Sequence, residues 1–204
     1  MLLRTRRLVL RPVTLDDVER LVALDSDPEV MRFVSGGSAT SATTVADWVI
    51  PRMQAQQNEH GTGMWLIHDR DAEFHGWVQL RTPRHSRPGE LELSYRLRRE
   101  SWGCGFAVEA SSTLITMMFA ETEATRIFAS THSDNLASQR VMQRLGMRLA
   151  ADTDAEELTD AEAADDAETM VEYELLRDTW YANRGRAVHW AASQRASSTG
   201  TRAG

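Results

Sequence analysis

The sequence predicts a single α/β domain built around a mixed sheet, and three observations carry that expectation. The chain has 204 residues, 42% of them hydrophobic, enough for one core and hardly for two. Segments that alternate apolar and polar residues, as strands do, are interleaved with segments of helical period, and no internal repeat interrupts the order. A glycine-punctuated turn, Trp102-Gly103-Cys104-Gly105, joins one such strand to a long apolar helix.

Residues 6–13, RRLVLRPV, alternate as a strand. Thr14 then stands before Leu15-Asp16-Asp17, an N-cap followed by acids in the first turn, and the helical pattern runs to about Leu24. A second helix is expected over 41–58, ended by Gly61 and Gly63. MWLIHD and FHGWVQLR form a hairpin around the turn from Asp69 to Glu73. The loop TPRHSRPG leads into the strand ELELSYRL, residues 90–97. After the glycine turn a helix runs from Gly105 to about Thr122, and TRIFAST, residues 125–131, is a strand. Asn135 caps a helix that stops at Leu145-Gly146. MRLA and TMVEYELL close the sheet. The domain is expected over residues 1–180, and 181–204, ending ASSTGTRAG, reads as a disordered polar tail.

Composition excludes several classes. Cys104 is the only cysteine, which rules out disulfides within the chain and thiolate metal clusters. No apolar run approaches the ~18 residues of a membrane span. The first residues, MLLRTRRLVLRP, are studded with arginine where a signal peptide is apolar, so a soluble cytoplasmic protein is expected. All 23 basic residues are arginine, a pattern that points to a GC-rich genome rather than to a function. The net charge of −7 is local: residues 151–168 hold nine acids and no base, and the rest balances 23 bases against 21 acids. That acidic insert reads either as a solvated loop or as a field that draws in a cationic ligand.

The glycine turn suggests an anion site. Amides at the start of a helix have no intrahelical partner, the helix dipole makes that end partly positive, and glycines let a phosphate approach closely. The bare alternative is a tight strand-to-helix turn. A dinucleotide fingerprint fails at Val108, and a P-loop needs a lysine that the chain lacks. What remains, WGCGFAVEA with RRLVLRPVTLDD, SDPEVMRFV, ELSYRL, NLASQRVMQRLGM and VEYELLRDTW, resembles the GNAT superfamily of acetyl-coenzyme A-dependent N-acetyltransferases. The form of the loop is similar to the ribosomal-protein N-terminal acetyltransferase (RimJ/RimL-like) branch, with Trp102 where the wider family has Gln or Arg. The resemblance implies a GNAT-like, mostly antiparallel sheet of about seven strands flanked by about four helices.

It also implies acetyl-coenzyme A as co-substrate, with no metal. Carried over by position, the backbone of Leu97 meets the pantetheine arm, and amides of Trp102, Gly103, Cys104, Gly105, Phe106 and Ala107 hold the pyrophosphate. Asn135 and Ser138 fall on positions that meet the arm near the sulfur. Read bare, Asn135 is a helix N-cap and Ser138 a helix-surface residue. Direct attack in a ternary complex is implied, so Cys104 is not the nucleophile.

The chemistry needs a base for the ammonium and a donor for the departing thiolate. Glu92 is the candidate base: a mid-strand carboxylate whose apolar surroundings are expected to raise its pKa. A salt bridge to an arginine or an exposed strand face are the alternatives, and Glu172, His132 and a water chain are the rivals. Many family members carry a tyrosine acid four residues before the glycine that ends the helix matching the one capped by Asn135; here that glycine is Gly146 and the position is Met142, which moves the donor role to Ser138. Glu109 is expected to anchor its helix. The resemblance implies a primary amine as acceptor, on a protein N-terminus or a small cationic molecule, and a monomer or homodimer without nucleic-acid or membrane partners is expected. A coenzyme A-binding regulatory module without catalysis is the contrasting possibility.

Overall fold

The computed structural model describes residues 2–83, 87–150 and 170–183. The acidic insert lies outside the described residues, as does the tail beyond residue 183. Residues 177–183 are helical, so order extends past the boundary expected at 181.

Eight strands form one sheet. They are β1 (Leu3–Arg4), β2 (Leu8–Pro12), β3 (Gly63–Asp69), β4 (Phe74–Arg81), β5 (Glu90–Leu97), β6 (Arg126–His132), β7 (Arg148–Leu149) and β8 (Met170–Leu176), arranged β1-β2-β3-β4-β5-β6-β8-β7. Every pairing is antiparallel except β5 with β6. Sequence reasoning missed β1, a two-residue strand too short to show periodicity. It also ran β2 two residues too early, because Arg6 and Arg7 turn the chain between the first two strands.

Two layers of helix cover the sheet. On one face lie α1 (Val18–Asp25), α2 (Pro28–Ser35), α3 (Ala42–Thr44) and α4 (Ile50–His60), the last two joined by a π-helical turn, Val45–Val49. The expected helix over 41–58 is this composite. Helix α2 was not foreseen, although its signals are local: Asp27 accepts the N–H of Glu29, Pro28 opens the first turn, and Gly36 ends it at φ +63°. The opposite face carries α5 (Phe106–Glu121) and α6 (Leu136–Arg144).

Strand alternation sorts two cores. Leu91, Leu93 and Leu97 of β5 pack with Leu114, Ile115 and Met118 of α5. Trp77 of β4 points the other way, among Leu21, Leu24, Ile50 and Met53. Met142, fully in the first core, fills with hydrophobic volume the place where the resemblance carries a tyrosine.

Candidate active site

Strands β5 and β6 begin side by side and then part. Their ladder runs Glu90↔Arg126, Leu91↔Ile127, Glu92↔Phe128 and stops, while β5 continues to Leu97 and β6 to His132. Beyond the last rung β6 pairs with β8 alone, and β5 with β4. A wedge therefore opens in the sheet, with Glu92 at its apex and main-chain groups on both walls.

The glycine loop lies at the end of β5. Gly103 and Gly105 have φ of +74° and +78°, a region costly for residues with a Cβ. A Cβ at Gly103 would meet nothing within 4 Å, and one at Gly105 only Arg7 Nη2, at 3.6 Å. The glycines thus serve backbone conformation and leave open space above the loop. No described protein acceptor takes the amides of Gly103, Cys104, Gly105, Phe106 or Ala107. The amide of Trp102, expected among them, donates to Arg99 O at 3.1 Å instead. Its indole folds back to donate to Leu97 O at 3.0 Å, bracing the end of the strand.

Arg7 was not identified from sequence, because it sits almost 100 positions from the loop it touches. Its Nη1 donates to Cys104 O at 3.0 Å, its guanidinium lies 4.8 Å from the Phe106 ring centroid, and its Nε donates to Glu109 Oε2 at 2.7 Å. Glu109 Oε1 also accepts from Thr5 Oγ1 at 2.6 Å and from the Arg7 amide at 2.9 Å. Burial alone would raise the Glu109 pKa, but the bonds from Thr5 and Arg7 outweigh it and hold the carboxyl below its usual range. The anchoring role expected for Glu109 is this clamp. Arg6, Arg7, Gly105, Ser112 and Arg144 line a cleft of about 550 Å³ beside the loop. Below it, His75 Nδ1 is 2.9 Å from Ser101 Oγ and its ring packs against Phe106, while the β3–β4 turn is pinned by amides donating to Asp69 Oδ1.

The two walls of the wedge differ. On the α6 side, Asn135 caps the helix by accepting from the Ser138 amide at 3.2 Å, and its Nδ2 donates to Thr131 Oγ1 at 3.1 Å. The Tyr95 hydroxyl lies 2.9 Å from Ser138 Oγ and donates to Ser138 O at 3.1 Å. Burial pushes the Tyr95 pKa up to about 12, against a smaller lowering by Ser138.

On the other side, where the side chain of Glu92 points, the surroundings are ionic rather than apolar. Arg81 Nη2, across the ladder, sits 2.5 Å from Glu92 Oε2. Arg126 bonds Glu90 at 3.1 Å, Glu172 at 2.6 Å and Glu174 at 2.7 Å. Burial would lower the Arg126 pKa, but those carboxylates hold it above its usual value. The rival Glu172 is thus committed to Arg126, and His132 Nδ1 accepts the Asp134 amide at 3.1 Å while its ring faces Phe33. The sheet separates Glu92 from Ser138, so the two candidate catalytic residues address the wedge from opposite faces.

Comparison with known proteins agrees with this geometry. Residues 7–148 match the family model described as Acetyltransferase (GNAT) domain. The chain is 30% identical over 154 residues to the FsC-acetyl coenzyme A-N(2)-transacetylase of Aspergillus fumigatus, covering 71% of this chain and 64% of that protein, so it spans less than two thirds of that relative. It is 29% identical to YoaA, an uncharacterised N-acetyltransferase of Bacillus subtilis, covering 72% of this chain and 82% of that one. Among solved structures, RimL, a ribosomal L7/L12 alpha-N-protein acetyltransferase in complex with coenzyme A, shares the fold at a TM-score of 0.71 and 17% identity, over 88% of this chain and 99% of that one. No described helix is long and apolar enough to cross a membrane. With residues 7–148 matching that family model, the chain belongs to the GNAT acetyltransferase family.

Proposed function

We propose that the enzyme acetylates a cationic primary amine, on a protein N-terminus or a small molecule, by direct attack in a ternary complex, and that it falls in the RimJ/RimL-like branch. The observation that carries this reading is the parting of β5 and β6 at Glu92, which sets a carboxylate at the apex of a main-chain-lined wedge. The charge around it supports a cationic acceptor: Glu90, Glu172 and Glu174 share one cation, Arg126, and Glu92 is held by Arg81.

Bound acetyl-coenzyme A supplies the thioester that the amine attacks and the thiolate that leaves. The unpartnered amides from Gly103 to Ala107, at the positive end of α5, hold its phosphates, and the arginines of the adjoining cleft add charge there. Leu97 and Asn135 meet the pantetheine arm, with the Trp102 indole bracing Leu97. Glu92 takes the proton from the ammonium; Arg81, fixed on Oε2, orients the carboxylate. Ser138 donates a hydrogen bond to the departing sulfur. A neutral attacking amine needs a base or it remains an ammonium near pH 7, so removal of that proton is the step that the protein must supply.

The test is a panel of acceptors, spanning peptides with basic, neutral and acidic N-termini, polyamines and amino sugars, followed by release of free thiol and by mass gain of the acceptor. Turnover that favours basic acceptors is expected. Equal turnover with acidic and basic acceptors would overturn the cationic preference, and thiol release without an acetylated amine would overturn the reaction.

A further inference from the structure

The resemblance leaves a vacancy: Met142 stands where a tyrosine hydroxyl is common. A different tyrosine reaches the same neighbourhood from the sheet. Tyr95 lies on the part of β5 that has left β6, its side chain on the α6 face, and its hydroxyl touches one residue twice, Ser138 O at 3.1 Å and Ser138 Oγ at 2.9 Å. Asn135 holds the amide of the same serine. Tyr95 and Asn135 thus hold the backbone of Ser138 at its carbonyl and its amide, and the Tyr95 hydroxyl is the one described partner of the Ser138 hydroxyl. The nearby Tyr173 is occupied elsewhere, with Gln139 Oε1 at 3.3 Å and Gln143 Nε2 at 3.2 Å.

We propose that Tyr95 is the positioning residue for the leaving-group site, aiming the Ser138 hydroxyl at the coenzyme A sulfur by exchanging hydrogen bonds with it. This rests on the reading of Ser138 given above. In the resting arrangement the phenol donates to the Ser138 carbonyl, and the serine hydroxyl donates to the phenol oxygen. When negative charge develops on sulfur, the serine proton turns to it, and the phenol turns its own proton from the carbonyl to Ser138 Oγ. No bond to hydrogen is broken in this exchange.

The acidities decide between proton transfer and hydrogen bonding. The phenol is held at about 12, whereas an alkyl thiol titrates near 8.5. Passing a proton from such a phenol to a thiolate is uphill by roughly 3.5 pH units, so the sulfur leaves as a hydrogen-bonded thiolate and is protonated later from solvent. Burial, which makes Tyr95 a poor acid, also keeps it a permanent donor through the working range of pH.

The bound thiol itself provides the readout. Wild type and variants are saturated with coenzyme A, and the pH of thiolate formation is followed by ultraviolet absorbance, with desulfo-coenzyme A as blank. Ser138→Ala should lower the acidity of the bound thiol by about tenfold, the size of a charge-assisted hydrogen bond. Tyr95→Phe should lower it by about threefold or more with coenzyme A affinity unchanged, and the double variant should match Ser138→Ala. The kcat for acetyl transfer should fall in the same order, with KM for acetyl-coenzyme A unmoved. If Ser138→Ala loses acidity while Tyr95→Phe equals wild type, the inference is overturned and the reading of Ser138 stands. Additive losses in the double variant also overturn it, because Tyr95 would then act on sulfur independently. An unchanged thiol in Ser138→Ala overturns the reading of Ser138 and the inference with it. Should Tyr95→Phe fail to fold, 3-fluorotyrosine at position 95, a stronger donor of nearly the same shape, should raise the acidity of the bound thiol; no change there overturns the inference.

Discussion

Strand β5 presents two chemistries from one backbone. Its odd-numbered residues face α5 and α6, where Leu91, Leu93 and Leu97 are core and Tyr95 meets Ser138 in a cluster of neutral hydroxyls. Its even-numbered residues face the other way, where Glu90, Glu92 and Arg96 are tied to Arg126, Arg81 and Asp25. The first wall can offer protons in hydrogen bonds without carrying charge, which suits a sulfur that becomes negative. The second holds fixed negative charge and a possible proton acceptor, which suits an ammonium that must become an amine. The contrast teaches that the period of two in a strand can separate the halves of an acyl transfer as well as core from surface.

The strongest test of this division is Glu92→Gln. It keeps shape and removes the acceptor of the proton, so kcat should fall by about 10²–10⁴-fold with KM for acetyl-coenzyme A little changed. Initial rates of thiol release measure it. A loss under about threefold would move the base to Glu172, His132 or a bound water.

Gly105→Val attacks the cofactor side alone. The substitution forces a β-branched residue into φ +78° and places its methyl groups over the loop amides. Calorimetric titration should show acetyl-coenzyme A bound about 100-fold more weakly, or ~2.8 kcal/mol, with the circular dichroism of the fold retained. Unchanged affinity would remove the phosphate role of the loop.

Glu109 sharpens the comparison because it is a carboxylate on the hydroxyl side, consumed by Thr5 and Arg7 rather than offered to a ligand. Its pKa is lower folded than unfolded, so the folded protein binds fewer protons there and the group stabilises the fold above the unfolded value. Glu109→Gln should cost about 1–2 kcal/mol of unfolding free energy at neutral pH. That gap to wild type should close as pH falls below about 4.3, because protonation then removes the same interaction from wild type. A gap that stays constant down to pH 3 would show that the loss is packing and not charge.

What could be read from the sequence follows the range of each interaction. The glycine loop, the Asn135 cap and the helices they open are written in a few adjacent residues, and each stands where periodicity and capping place it. Helix α2 has an equally local signature in Asp27-Pro28 and Gly36. The pairs that define the two walls were not legible, because they depend on register: Arg81 meets Glu92 only through the antiparallel pairing of β4 with β5, and Tyr95 meets Ser138 across 43 residues. Glu92 was expected among apolar neighbours because its own strand is apolar; the ions come from strands beside it. Arg7 reaches the loop through the turn after β1, a strand of two residues.

The smallest effect concerns the acidic stretch 151–168, which joins β7 to β8 and lies outside the described residues. Strand β8 brings Glu172 and Glu174 to the ionic wall, so nine further negative charges at its start would extend that wall's field toward solvent. Such a field acts at a distance, concentrating a cationic amine near the wedge, and salt screens it over a Debye length of about 8 Å at physiological ionic strength. Replacing the stretch by a four-residue turn should raise KM for a cationic acceptor by about threefold at low salt, and flatten the rise of KM with added salt. The affinity for acetyl-coenzyme A, whose phosphates meet α5 on the opposite wall, should stay as it is. A neutral acceptor provides the control, since its KM has no charge for the field to act on. If KM for the cationic amine and its salt dependence are the same with and without the stretch, the amine is recruited by the fixed carboxylates of β5 and β8 alone, and the stretch has no part in it.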